Sequence, residues 1–219
     1  KPVAQRAGYA VEIEALWYNA VCYTLALARK YKDKEFDERW ADMPAKTKKS
    51  FIEKFWLEEE GYLADYVNYD EVSKFIRPNM VVACGLDFKM LSQEQLVRTL
   101  LTVQQHLLTP RGLRTLSPRN PLYKSNYNED QRSQDLASRN GSAWIWPLVF
   151  YVKGCFDVRG EGYAAEARAL LNDFDDELQT KCVGSISERF EGDPPHNPRG
   201  GVSHATSVAG LLLINSLIE

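Results

Sequence analysis

The side chains in this sequence that could bind or transform a ligand are mostly aromatic residues, arginines, amides and carboxylates. A pyranose ring has two apolar faces and a rim of hydroxyl groups, so an aromatic plane beside planar hydrogen-bond donors and carboxylates would suit a sugar. The candidates are Trp17, Tyr18, Asn19, Arg77, Asn79, Arg111, Arg114, Tyr123, Tyr127, Trp144, Trp146, Glu188, Asp193 and His204. A tryptophan or tyrosine at helical spacing is more often a core residue, and a loop arginine is usually only solvated. The hypothesis of a sugar-binding cleft therefore depends on whether these residues cluster.

Other kinds of site have no signature in the sequence. The histidines His106, His196 and His204 lack the spacing of metal ligands. Neither a glycine-rich phosphate loop nor a Gly-x-Ser-x-Gly elbow occurs. We therefore predict no metal site, no cofactor and no serine-hydrolase chemistry.

Composition excludes several classes of protein. The 219 residues include 27 lysines and arginines against 30 acidic residues, a formal net charge of -3, so no broad cationic field exists to attract nucleic acid. The most apolar stretch, 144–152, is interrupted by Pro147 and is far shorter than the roughly 20 residues that cross a bilayer. Four widely spaced cysteines suit a reducing compartment. The sequence therefore predicts a cytoplasmic protein with no nucleic-acid or membrane partner.

The elements that must position the candidate residues are predicted to be helices. Apolar residues recur at helical spacing along most of the chain, and strand signals are nearly absent. Ser92 and Gln95 form a capping-box pattern at the start of one helix. The predicted segments cover 10–31, 44–60, 80–86, 92–108, 142–156, 163–178 and 203–218. We predict an all-α fold and one domain, residues 1–219.

Two connecting segments, 109–140 and 183–202, are unusually long and rich in proline, glycine and charge. In a compact helical domain such segments are usually functional. If successive helices are antiparallel, the short turn 157–162 returns the chain, so that both long segments lie at one end. The sequence therefore predicts that the candidate residues collect on one face.

Four segments resemble the glucosidase domain of glycogen debranching enzymes. They are Gly8-Tyr-Ala-Val-Glu-Ile-Glu-Ala-Leu-Trp-Tyr-Asn-Ala20, Ile76-Arg-Pro-Asn79, Leu107-Leu-Thr-Pro-Arg-Gly-Leu-Arg-Thr-Leu-Ser-Pro118 and Gly184-Ser-Ile-Ser-Glu-Arg-Phe-Glu-Gly-Asp-Pro-Pro-His196. They follow the family's order and span nearly the whole chain. The resemblance implies an α/α toroid of helical hairpins. It also implies hydrolysis of the α-1,6-linked glucose at branch points of glycogen or another branched α-glucan.

The resemblance further implies roles for two carboxyl groups. An inverting glycosidase uses one carboxylic acid to protonate the leaving oxygen and one carboxylate to activate water, with about 6.5–9.5 Å between them. By resemblance the general base is Glu188. The family's acid lies in a Trp-Met-Asp motif, which does not occur before Gly8. We therefore expect the acid upstream of Lys1, and we expect this chain to be the C-terminal part of a toroid whose N-terminal remainder is its partner.

The substrate-binding residues expected around that base come from the candidate face. They are Trp17, Asn19, Arg77, Asn79, Arg111, Arg114, Trp144, Trp146, Asp193 and His204. Glu12 and Glu14 open a helix, where pairing with the helix dipole is at least as good an explanation as catalysis.

Two segments depart from the family pattern. The family's His-Gln-Gly-Thr-Val-Trp-Pro-Trp reads Arg139-Asn-Gly-Ser-Ala-Trp-Ile-Trp146 here, and its Gln-Ala-Trp-Ser-Val-Ala-Glu reads His204-Ala-Thr-Ser-Val-Ala-Gly210. The second segment has lost an aromatic residue and an acid. A non-catalytic carbohydrate-binding or interaction module, derived from such an enzyme, is therefore the alternative hypothesis.

Overall fold

In the computed structural model, which describes residues 3–4, 6–126, 130–180 and 183–219, the chain is mainly helical with several small sheets. Strand β1 (Tyr9–Ala10) leads directly into helix α1 (Val11–Tyr31). The helix ends where Lys32 adopts a left-handed conformation and donates its N–H to the carbonyls of Ala28 and Arg29. Its buried face consists of Val11, Ala15, Tyr18, Val21, Leu25 and Ala28.

The segment predicted as one helix over 44–60 is only partly helical. A short helix α2 (Lys34–Trp40) precedes α3 (Met43–Phe55), and the chain then forms a hairpin of β2 (Trp56–Leu57) and β3 (Tyr62–Leu63). The helix stops because Trp56 takes an extended conformation, which directs the next residues into the hairpin. Both residues of β3 are buried, so the hairpin contributes to the core.

The helix predicted at Ser92 has the predicted start. The Ser92 hydroxyl accepts a hydrogen bond from the Gln95 N–H at 3.2 Å, and the Gln95 side chain accepts one from the Ser92 N–H at 3.0 Å. This capping box opens α5 (Gln93–His106). Before it lie β4 (Tyr66–Val67), which pairs with β1, a 3₁₀ turn (Pro78–Met80) and the short helix α4 (Val81–Gly85).

The described residues also include nine short strands, five of them within or beside the two long segments, so the all-α prediction is only partly borne out. These strands are too short to produce a two-residue periodicity in the sequence. The five form one antiparallel sheet in the order β5 (Leu108–Thr109), β6 (Gly112–Arg114), β7 (Ala143–Trp144), β8 (Arg189–Phe190) and β9 (Pro198–Arg199). Helix α6 (Gln131–Asn140) lies between β6 and β7 along the chain. Because one sheet joins both segments, the prediction that they lie at the same end is confirmed.

The described residues contain four further helices. They are α7 (Trp146–Arg159), α8 (Ala164–Asn172), α9 (Asp175–Thr180) and α10 (Ala205–Ser216), with a 3₁₀ turn at Gly160–Tyr163. The predicted helix over 163–178 is divided, because α8 ends at Asn172 and Phe174 turns into the core.

The helices pack in two layers. Helix α1 contacts α4, α4 contacts α7, and α7 contacts α10, while α3, α5 and α8 pack against this row from outside. The main core lies between the layers and includes Leu63, Val81, Val103, Leu148 and Val152. Among the helices of the described residues, none combines the length and the apolar character that crossing a bilayer requires.

Candidate functional site

A cavity of about 500 Å³ lies where the N-terminus of α1, the 3₁₀ turn Pro78–Met80 and the start of α7 meet, and we call it the polar cavity. Its walls carry charged, amide and aromatic side chains together, as the sugar-binding hypothesis requires. The lining residues are Val3, Ala4, Arg6, Glu12, Arg77, Pro78, Asn79, Thr115, Arg139, Trp144, Trp146 and Pro147. Four of the predicted substrate-binding residues, Arg77, Asn79, Trp144 and Trp146, are therefore brought together here.

Arg6 connects the first turn of α1 to a buried carboxylate. Its Nη1 and Nη2 donate to the two oxygens of Glu12 at 2.5 and 2.6 Å, and its Nε donates to Asp65 Oδ2 at 2.8 Å. Burial lowers the pKa of Arg6, but the hydrogen bond to Glu12 and the charges of Asp65 and Glu12 raise it overall. Arg6 therefore stays a cation that fixes the Glu12 carboxylate at the cavity wall.

Asp65 lies beneath the cavity and is only 1% exposed. Asn79 donates to its Oδ1 at 2.8 Å, and Arg77 Nε lies 3.8 Å from its Oδ2. Burial raises the pKa of Asp65, and the charge of Arg6 and the hydrogen bond from Asn79 oppose that rise. The carboxylate thus orients the side chains of Arg6 and Asn79 that line the cavity.

Arg77 holds three parts of the chain together at the cavity. Its Nη1 donates to the carbonyls of Thr115 and Arg139 at 3.0 and 2.7 Å, and its Nη2 donates to Asn140 Oδ1 at 2.8 Å. Burial lowers the pKa of Arg77, and the charge of Asp65 partly offsets this effect. These hydrogen bonds give Arg77 a structural role at the cavity wall.

Trp144 lies on β7, the middle strand of the five-stranded sheet, and Trp146 is the first residue of α7. The Trp144 Nε1 donates to the Ser138 carbonyl at 3.3 Å, and the Arg189 guanidinium lies 5.5 Å from the Trp144 ring centre. Trp146 makes an edge contact with Phe150. Both indole rings are partly exposed, so each retains surface for a ligand.

Glu188 lies just before β8 and is not part of the cavity lining. Arg189 Nη1 donates to its Oε1 at 2.7 Å, and the Gly201 N–H donates to its Oε2 at 2.8 Å. The side chain of Glu188 is 24% exposed. Since Arg189 also lies over Trp144, Glu188 is connected to the cavity wall through one arginine.

Asp193 and Arg114 fix the segment that follows Glu188. The Tyr123 hydroxyl donates to Asp193 Oδ1 at 2.8 Å, and Arg114 Nε donates to the Gly192 carbonyl at 2.8 Å. Burial, together with the hydrogen bond to Asp193, raises the pKa of Tyr123 to about 12. These contacts attach the 188–193 segment to the region around β6.

The predicted binding residues Asn19, Arg111 and His204 are also absent from the lining of the polar cavity, and each has local partners. Asn19 pairs with the backbone of Phe88, and His204 contacts the Ser207 hydroxyl at the start of α10. Arg111 forms a two-pronged ion pair with Asp176 at 2.7 and 2.8 Å, and its guanidinium lies 5.6 and 5.7 Å from the ring centres of Phe174 and Phe190. Tyr127 lies outside the described residues.

Trp17 lines a different cavity, of about 560 Å³, between α1 and α3. Its ring makes an edge contact with Trp40. The wall also includes Glu14, and burial raises the pKa of that carboxyl group. The sequence grouped Trp17 with Trp144, whereas the structure separates them.

Sequence reasoning missed Arg6, Asp65, Thr115 and Arg139 as parts of this site. Asp65 carries the clearest signal, because it is the only charged residue in the apolar run Tyr62–Val67. A carboxylate in such a run is either paired on burial or excluded from the core. Arg6 has no comparable signal, since a single arginine near the start of a chain resembles any solvated residue.

A family model described as amylo-alpha-1,6-glucosidase matches residues 1–213. No curated protein matches the chain. Among solved structures, the neutral trehalase Nth1 from Saccharomyces cerevisiae is similar with a TM-score of 0.70 at 13% identity, over 96% of this chain and 38% of that chain. The GH63 mannosylglycerate hydrolase from Thermus thermophilus in complex with glucose is similar with a TM-score of 0.66 at 17% identity, over 94% and 47%. These likenesses show a shared fold, and the chain spans less than half the length of either structure.

Proposed function

The chain belongs to the amylo-alpha-1,6-glucosidase family, and from this premise we propose that it is part of a glycoside hydrolase that releases α-1,6-linked glucose at the branch points of an α-glucan. The substrate is glycogen or a related branched glucan. The single observation that carries the proposal is the polar cavity, where Trp144 and Trp146 stand beside the polar side chains of Arg77 and Asn79. Aromatic planes and planar donors together match the faces and the rim of a pyranose.

In the proposed reaction Glu188 is the general base of an inverting hydrolysis. Its carboxylate accepts a proton from a water molecule while the water oxygen attacks the anomeric carbon. A carboxylic acid upstream of Lys1 protonates the glycosidic oxygen as its bond to that carbon breaks. Room for the water requires about 6.5–9.5 Å between the two carboxyl groups.

The proposed partner within the same protein is the N-terminal remainder of the toroid. Helices α1, α4, α7 and α10 contact one another in that order, and we call them the inner row. The two helices at its ends, α1 and α10, expose large apolar side chains that further helices would cover. The exposed residues are Ile13, Leu16, Trp17, Tyr23, Leu212 and Leu213. Covering them would remove apolar surface from water, which favours association.

A non-catalytic carbohydrate-binding module is the second candidate function, and one observation favours it. The carboxylates of Glu12 and Glu188 are each paired with an arginine, Arg6 and Arg189 respectively. A paired carboxylate can support a binding wall as well as it can accept a proton. The two functions predict different results when Glu188 is changed.

The test is Glu188→Gln in the full-length protein, with turnover of a branched limit dextrin as the measurement. Glutamine keeps the shape but cannot accept the proton of water, so we expect kcat to fall by about two to four orders of magnitude with little change in KM. Glu166→Gln is the matched control, since Glu166 is also paired with an arginine but lies on the exposed start of α8. Undiminished turnover in Glu188→Gln would rule out Glu188 as the base, whereas a full-length protein that binds the dextrin without hydrolysing it would favour the binding module.

A further inference from the structure

Each carboxylate oxygen of Glu188 accepts a hydrogen bond from a residue of the 183–202 segment. The Gly201 N–H contacts Oε2, and the Arg189 guanidinium contacts Oε1. The main chain adds a second connection, because the Glu188 N–H donates to the Gly201 carbonyl at 2.9 Å. A carboxylate offers about four acceptor positions, so each oxygen keeps one for a further donor such as water. The contacts therefore fix the direction of the carboxylate and leave it able to accept a proton.

The backbone of Gly200 lies directly against the Glu188 carboxylate. Its φ of +76° lies in the region that favours glycine, and a Cβ there would come within 2.2 Å of Glu188 Oε2 and 2.8 Å of Cδ. No side chain fits at position 200 without moving the carboxylate. The absence of a side chain is thus needed for the observed position of Glu188.

Arg189 links the same carboxylate to the cavity. Its guanidinium contacts Glu188 and also lies over the ring of Trp144, which lines the polar cavity. An arginine held by an ion pair and an aromatic ring has little freedom to rotate. Displacement of Arg189 would therefore release Glu188 from a fixed position relative to the cavity wall.

We propose that Gly200 and Arg189 are positioning residues that hold the Glu188 carboxylate in its working orientation. The proposal rests on the proposed function, in which Glu188 is the general base. A catalytic group must be held within about 0.5 Å and 10–20° of its productive geometry. A misplacement of about 1 Å can lower the rate a hundredfold. A side chain at position 200 that moves the carboxylate would therefore lower kcat.

The first experiment is Gly200→Ala in the full-length protein, measured as kcat and KM on a branched limit dextrin. We expect kcat to fall about a hundredfold with KM unchanged, because the methyl group displaces the base and not the sugar contacts. Two matched controls separate displacement from backbone strain. Gly184→Ala, at φ +81° in the same segment, introduces the same strain with no atom within 4 Å, and Gly201→Ala places its Cβ at an ordinary 3.8 Å from Oε2. Both controls should keep kcat near the wild-type value.

The second experiment compares Arg189→Met with Arg189→Lys. Methionine removes the donor to Oε1, so we expect kcat to fall about tenfold at constant KM, whereas lysine retains a donor and should restore most of the loss. In a Glu188→Gln background, Gly200→Ala and Arg189→Met should cause no further loss of kcat, because the base that they position is gone.

These outcomes separate the two proposals. If Gly200→Ala loses no more kcat than Gly184→Ala, or if lysine fails to rescue at position 189, the positioning role is overturned while a strong effect of Glu188→Gln keeps the proposed function. If Glu188→Gln retains full turnover, the proposed function fails and the positioning role fails with it. Should Gly200→Ala not fold, judged by circular dichroism, the rescue at position 189 decides the question.

Discussion

At the scale of single residues, the polar cavity is built from side chains that already have protein partners. Arg6, Arg77 and Asn79 all converge on Asp65, which is buried and keeps them in fixed directions. A buried carboxylate without partners would cost several kcal/mol, so this network depends on every member. Preformed donors of this kind lose little freedom when a ligand binds. Trp144 differs from them, because its ring keeps partly exposed surface at the wall.

Replacing Trp144 tests whether that surface binds sugar. We expect Trp144→Ala to weaken glucan affinity about tenfold, equivalent to about 1.4 kcal/mol. It should destabilise the protein by less than the 3–5 kcal/mol typical of a buried tryptophan. Trp56→Ala is a close control, because Trp56 is also partly exposed and lies under an arginine, Arg98, at 5.4 Å. Isothermal titration with a maltooligosaccharide, together with thermal unfolding, measures both quantities. Equal affinity in the two variants, with a large loss of stability only at Trp144, would assign Trp144 to the core instead.

At the scale of elements, the sequence predicted most helices but not the five-stranded sheet that carries Trp144. The start of α5 was predictable, because Ser92 and Gln95 make a local capping box that needs no tertiary contact. The five-stranded sheet was not, since strands of two or three residues carry no periodicity and are stabilised by partners distant in sequence. Helix α6 was missed for a related reason, as its sequence is largely polar and its cap, Asp130, resembles an ordinary loop residue.

Helix α1 shows a different limit of sequence reasoning. It is apolar on more than one side, so the spacing identified a helix but not the face that is buried. Ile13 and Leu16 contribute to the apolar spacing that predicts the helix, yet they are exposed, whereas Ala15 and Tyr18 face the core. Only the packing of neighbouring helices decides between two apolar faces.

The capping box of α5 gives a prediction at this scale. Ser92→Ala removes the acceptor for the Gln95 N–H, and the loss of an N-cap typically costs about 1 kcal/mol. For a protein of this size we expect the melting temperature to fall by about 2–4 °C. Ser50→Ala, at an exposed position inside α3, should leave it unchanged or slightly raised, since alanine is the better helix former. If differential scanning calorimetry gives equal values for both variants, the cap contributes nothing measurable.

At the scale of the whole molecule, apolar side chains remain exposed at both ends of the inner row of helices. Asn19 of α1 and Leu213 of α10 line one cavity of about 350 Å³, together with residues of α4 and α7. Exposed apolar surface on this scale indicates a missing partner or a tendency to associate. The proposed remainder of the toroid would provide that partner in the full-length protein.

The isolated 219-residue chain should therefore self-associate as its concentration rises. Ile13 and Leu213 are 56% and 55% exposed, and we expect the double variant Ile13→Lys/Leu213→Lys to stay monomeric at concentrations where the wild type associates. Charged side chains at these positions oppose apolar contact but remain solvated in the monomer, so stability should change by no more than about 0.5 kcal/mol at each site. Leu122→Lys, at a position 58% exposed outside α1 and α10, is the control and should associate like the wild type. Sedimentation velocity across a concentration series measures the difference. A wild-type chain that remains monomeric throughout would mean that these faces need no cover, and the proposed contact with further helices would lose its physical basis.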